Sequence, residues 1–195
     1  MGNGARPGPA PEGFWDFSLA TYGREGVERV CLALQDRHGA DVNLLLFCCW
    51  VGAMGHGALT TAELAGLAER VRAWREGLIL PLRRLRRRLK DERWPAPGGM
   101  VEALRGKVKA VELEAEHVEQ AMVEAALERT PDPTRPSRAR LADAAASLAA
   151  YLRVLDVSAG ADEEEWLRAL LKGAFPEMDE VTVTDRCRAS LSGAV

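Results

Sequence analysis

ADVNLLLFCCWVGAMGHG, residues 40 to 57, decides what kind of protein this is. Residues 44 to 54 form an unbroken apolar run of eleven with two adjacent cysteines and a tryptophan, followed by a histidine held between Gly55 and Gly57. A membrane-spanning helix needs roughly 20 such residues, so the run is too short to cross a bilayer. Its leucines, Met54 and Ala53, with few β-branched residues, fit a helix buried nearly all round. Asp41 is the expected N-cap, Gly39 ends the preceding helix, and Gly55 and Gly57 end this one.

Three chemical readings compete with the buried helix. Adjacent helical residues point about 100° apart, so Cys48 and Cys49 do not clamp one metal ion as a Cys-x-x-Cys pair would. GAMGHG spaces its glycines but follows a helix rather than a strand and lacks the Lys-Ser/Thr ending of a phosphate loop. His56 has no fixed carboxylate or thiol beside it in the sequence, and catalysis needs such a constellation.

The flanking segments agree with a helical interior. FWDFSLATY, residues 14 to 22, reads as a short amphipathic helix, and its aromatics as core filling rather than a ligand box. Val27, Val30, Cys31 and Leu34 form the apolar face of the next helix. Together with W-x6-PLRRLR, which starts at Trp74, the strings FW-x-FSL, CL-x-LQ and DVNLLLF over residues 14 to about 90 resemble a proteobacterial family of small helical proteins known only as a domain of unknown function. That resemblance implies a cytoplasmic helical protein and brings no activity, cofactor or catalytic residue.

Composition sets the outer limits. At 195 residues the chain is long enough for one domain with a substantial core and no staples. A net charge of -3 creates no global field toward nucleic acid or membrane. Cys31, Cys48, Cys49 and Cys187 form no paired motif, which fits a reduced cytoplasmic chain. The Gly/Pro-rich residues 1 to 13 read as a disordered tail that carries neither a signal peptide nor a myristoylation signal.

The most legible stretch is LTTAELAGLAERVRAWREGLILPLRRLRRRLKDE, residues 59 to 92. Thr60 and Glu63 have capping-box spacing, so a helix starts near Thr61. Its apolar stripe runs Leu64, Leu67, Val71, Trp74, Leu78, Leu82, Leu85 and Leu89 through Pro81, which predicts a kink between Gly77 and Pro81 rather than a break. WPAPGG, residues 94 to 99, is a turn. The next helix alternates steps of three and four through Val101, Leu104, Val108, Val111, Ala115, Val118, Met122 and Ala125, a heptad seam. Two long helices joined by a short turn pack antiparallel.

Charge divides along this hairpin. Residues 83 to 109 carry ten basic against three acidic residues, while residues 110 to 128 carry six glutamates and no Lys or Arg. Part of that acidic face is expected to pair with Arg70, Arg72 and Arg75 on the facing helix. The remaining basic tip, Arg83, Arg84, Arg87, Arg88, Lys90, Arg93 and Lys107, is the candidate partner-binding surface. It suits an acidic protein, with RNA or DNA as the alternative; a solvated helix face needs no partner at all. Glu114 and His117 have the spacing of a carboxylate-bridged di-iron motif, but that site needs two copies, and His117 points off the seam.

Beyond PDPTRPSR, residues 131 to 138, an alanine-rich helix presents Leu141, Leu148, Leu152 and Leu155, and a further helix begins near Asp162. Residues 180 to 185 read as a short extended piece and the tail after them as frayed. The expectation is an all-α bundle of about six or seven helices built on a long antiparallel hairpin, with one domain over residues 14 to 175 and a C-terminal extension over 176 to 195, ordered in part at most. Neither a metal nor a cofactor is expected. The favoured function is a non-enzymatic cytosolic interaction module or adaptor. Nucleic-acid binding through the tip comes second, and an enzyme using His56 or His117 third. The partner's identity and the oligomeric state are not legible in the sequence.

Overall fold

The computed structural model describes residues 13–193. They form α1 (Phe14–Tyr22), α2 (Val27–His38), α3 (Val42–Met54), α4 (Thr61–Trp74), a π-helical turn (Arg75–Ile79), α5 (Leu80–Asp91), α6 (Met100–Ala125), α7 (Ser137–Val154), α8 (Ala161–Ala174) and α9 (Glu180–Ser192). The π turn joins α4 to α5 without interruption, so the protein is an all-α bundle of eight rods. Among the described residues there is no strand, and no helix is long and apolar enough to cross a membrane.

α3 is the central rod. Leu44 through Val51 are all buried, and so are Asn43 and Gly52. Asp41 caps it by accepting from the Asn43 backbone N–H, and Gly55 closes it in the left-handed region at φ 84°. Phe47 meets Phe14 edge-on with ring centroids 5.1 Å apart, and Trp50 lies 5.6 Å from Phe14, so the N-terminal aromatics fill the core. α7 crosses α3 closely enough that a Cβ on Gly52 would meet the Ala144 backbone nitrogen at 2.5 Å. That approach explains the alanines of α7: Ala144, Ala145, Ala149 and Ala150 are buried at the crossing and beside it. All four cysteines are free and buried. Burial pushes the Cys31 thiol up to about 12 and the Cys48 and Cys49 thiols higher still, so none is a ready nucleophile.

The rod beyond those expected is α9. The alternation in EVTVTD resembles a strand, but Asp179 accepts from the Thr182 N–H at 2.8 Å and starts a helix. Val183 and Cys187, one turn apart, are buried in the same core as α7 and α8 residues. Packing of that i, i+4 pair overrides the weak local preference of β-branched residues.

α4 starts where its capping box predicts, with Thr60 Oγ1 accepting from the Glu63 N–H and Glu63 bonding back to the Thr60 N–H at 2.8 Å. The expected kink is the π turn, five residues wound more loosely ahead of Pro81. Its one extra residue shifts the buried register. Leu64, Leu67 and Val71 are buried on α4, and the series then passes to Ile79. Leu78 and Leu85, expected in the stripe, are 42% and 44% exposed.

Candidate functional site

The same displacement governs the inner face of the hairpin. Once the register has moved at the π turn, the residues of α5 that follow Ile79 on the inner side are arginines. Arg83 Nε and Nη2 reach Glu112 at 3.2 Å and Glu116 at 2.7 Å on α6, and Nη1 donates to Gln35 of α2. Arg86 donates twice to the same Glu112 carboxylate. The two guanidinium groups therefore clamp one buried glutamate. Burial pushes Glu112 up, but the hydrogen bonds from Arg86 and Arg83 outweigh it and hold the carboxyl below its ordinary range. Glu116 has the weaker clamp, and burial raises it against the pull of Arg83.

Further along α6 the donors change from guanidinium groups to side-chain amides and a hydroxyl. Asn43 Nδ2 donates to Glu119 Oε2, Gln120 Nε2 donates to Asn43 Oδ1 at 2.9 Å, and Ser18 Oγ donates to Gln120 Oε1 at 3.0 Å. This chain ties α6 to α3 and α1. Glu119 is 1% exposed, and its carboxyl is pushed up to about 8, first by burial and then by the charge of Asp41. Asp41 faces Arg75, whose Nε lies 3.1 Å from Oδ2 at an angle that makes no hydrogen bond. Within the described residues no donor reaches the second Glu119 oxygen, Oε1, either, which leaves the proton of the Glu119 carboxyl itself to bond to Asp41.

The heptad seam expected on α6 is thus only half inside: Val108 and Ala115 are buried, but the alternate seam positions are not. Val108, Glu112, Ala115, Glu119, Gln120 and Val123 are buried, while Leu104, Val111 and Val118 are 51%, 49% and 44% exposed. The polar residues lie inward because their partners come from α1, α3 and α5. A single helix read alone carries no signal for that.

The basic tip divides in consequence. Arg83 belongs to the inner layer, with only 15% of its side chain exposed, and is not a free surface charge. Arg86 is held the same way. Arg87 reaches Asp36 of α2 at 3.5 Å, Arg88 binds Glu92 one turn on, and Arg105 binds Glu102. Among the described residues Arg84, Lys90, Arg93, Lys107 and Lys109 form no ion pair, and all five are exposed. Trp94 is 41% exposed, with the Arg88 guanidinium 5.9 Å from its ring centroid. Within the acidic half of α6, Glu112 and Glu116 are paired by α5 rather than by Arg70, Arg72 and Arg75. Arg72 pairs with Glu69 and Glu76 on its own rod, and Arg75 with Asp41.

The two histidines singled out from the sequence make structural contacts. His56 Nδ1 lies 2.9 Å from the Arg129 carbonyl oxygen and its ring packs 5.0 Å from Trp50, with burial lowering its proton affinity. His117 stacks on Trp15 at 4.1 Å on the exposed side of α6, and Glu114 is exposed as well. Among the described residues no group of three His, Cys, Asp or Glu side chains is placed to hold a metal ion. Two shallow clefts are lined by residues of α7 to α9 and their connections, including Gly160, Glu164 and Arg188 in one and Arg153 and Asp156 in the other. Neither contains a residue of the polar layer.

Fold and site together define an all-α bundle carrying a charged helical hairpin. The chain belongs to a family of proteins of unknown function: the family model described as Protein of unknown function (DUF2390) matches residues 13–123. The match runs from the start of α1 almost to the end of α6 and so takes in the hairpin and most of the polar layer. No curated protein and no solved structure matches the chain.

Proposed function

We propose that this protein is a non-enzymatic cytosolic interaction module whose hairpin tip receives an acidic protein partner. The observation that carries the reading is the group of unpaired cations at the tip. Arg84, Lys90, Arg93 and Lys107 remain exposed after the glutamates of α6 have taken Arg83 and Arg86. Arg87 adds to them, since its contact with Asp36 is at 3.5 Å and both side chains are more than half exposed. Exposed pairs of that kind contribute little and are readily exchanged for a partner's carboxylate. A nucleic acid would ask for stacking platforms as well as charge, and the tip offers Trp94 alone, itself engaged by Arg88.

The test is capture from native cytosol with the wild type and with a variant carrying Arg84→Gln, Arg87→Gln, Lys90→Gln and Arg93→Gln. All four side chains are exposed, so helix content and melting temperature stay close to wild type. The expected result is loss of an acidic protein, with the wild-type capture weakening as salt rises. A folded variant that retains every wild-type partner refutes the reading. Salt-released nucleic acid in place of protein transfers it to the nucleic-acid alternative.

A further inference from the structure

The outer side of the hairpin carries an apolar face with nothing upon it among the described residues. On α6, Leu104, Val111 and Val118 recur every seven residues and are each about half exposed. At about 100° per residue they fall within about 40° of one another, about 90° from the Glu112–Glu119 line and opposite Gln120, which faces the body. On α5, Leu85 lies about 100° from Arg86, which faces α6, and about 160° from Arg87, which reaches α2. Both helices therefore turn these residues to the same side, away from the body, with Leu85 bordering the α6 stripe. Met100, 63% exposed, continues the stripe toward the tip, and toward the base it ends at Met122, which is half-buried because part of it packs against the core.

We infer that this face is the interface of a two-fold symmetric homodimer, in which two hairpins pack antiparallel as a four-helix bundle. The argument is its self-complementarity. A two-fold axis through Val111 sets that residue against the partner subunit's Val111, Leu104 against the partner subunit's Val118, and Met100 against the partner subunit's Met122. Every apolar position meets an apolar position, as an isologous interface requires. Charge follows the same symmetry. Lys107 and Glu114 flank the stripe, both exposed and without an ion pair among the described residues, and the same axis brings Lys107 beside the partner subunit's Glu114. A parallel arrangement would set Lys107 against its own copy. The stripe from Met100 to Met122 is about 33 Å long and the hairpin about 20 Å wide, so each subunit would cover on the order of 700 Å², near the ~800 Å² of a standard interface.

Of the tip cations only Lys107 borders this face; Arg84, Lys90 and Arg93 lie apart from it, so the dimer does not depend on capture of an acidic partner. The experiment is sedimentation equilibrium of the purified full chain from micromolar to hundreds of micromolar protomer. It compares the wild type with Val111→Glu, Lys107→Glu, and the exchange Lys107→Glu with Glu114→Lys. The wild type is expected to dimerise. Val111→Glu sets two carboxylates together at the axis and should raise the dissociation constant about a hundredfold or more. Its circular dichroism should stay that of the wild type, because Val111 is 49% exposed in the single chain. Lys107→Glu should weaken the dimer, and the double exchange should restore it. A monomeric wild type, a dimer indifferent to Val111→Glu, or an exchange that fails to restore association each overturns the inference. A dimer that captures no acidic protein leaves this inference standing and removes the proposed function alone.

Discussion

Replacing Glu119 with Gln should remove most of the pH dependence that this residue gives the fold. The folded carboxyl, at about 8, keeps its proton where the unfolded one, near 4.5, has released it. Between those limits the folded state binds more protons, so stability is full below about pH 4.5 and is lost as the pH rises toward 8. The interval of about 3.5 pH units at 1.36 kcal/mol each caps the effect at about 5 kcal/mol. Water entry around the ionised pair relieves part of it, which leaves about 2–4 kcal/mol. Gln keeps the acceptor for Asn43 and supplies a permanent N–H where the neutral carboxyl supplies its O–H, on the side of Glu119 Oε1 and Asp41. The variant should therefore match the wild type within about 1 kcal/mol near pH 5 and exceed it by about 2–4 kcal/mol near pH 9. Urea unfolding followed by circular dichroism at half-unit intervals from pH 5 to 9 measures both curves. Parallel curves for the two proteins would show that Glu119 is ionised in the folded state at neutral pH, and the account of the polar layer would be wrong.

Arg83→Gln should cost about 1–3 kcal/mol, because Glu112 and Glu116 lose a charged donor, whereas Arg84→Gln should cost less than about half a kcal/mol; equal effects in chemical denaturation would deny the difference between inner and outer arginines. Leu45→Ala should cost about 2–5 kcal/mol, since Leu45 is fully buried in α3; a loss below half a kcal/mol would make α3 peripheral.

How much of this was legible in the sequence follows the range of the interactions involved. Local chemistry determines where rods begin and end. Asp41 caps α3, Thr60 and Glu63 start α4, and Gly39 and Gly55 end their helices in the left-handed region, each through groups within a few residues. Burial of α3 is equally legible, because a rod that is apolar all round has no solvent face to choose. The face of an amphipathic helix is a different matter when the chain holds competing stripes. Leu78, Leu82, Leu85 and Leu89 are in step with α4 only if the winding is uniform, and the π turn makes it non-uniform by one residue. Ile79 then takes the inner position, Arg83 and Arg86 turn toward Glu112 and Glu116, and Leu85 of α5 with Leu104, Val111 and Val118 of α6 turn outward. The carboxylates are held inside by guanidinium and amide donors that come from up to 76 residues away, as with Asn43 and Glu119. α9 follows the same rule, being a weak helix by composition and a firm one by the core that receives Val183 and Cys187. Rods and caps were set by contacts within a turn or two of the chain. Which side of each rod is wet was decided only when distant charges met.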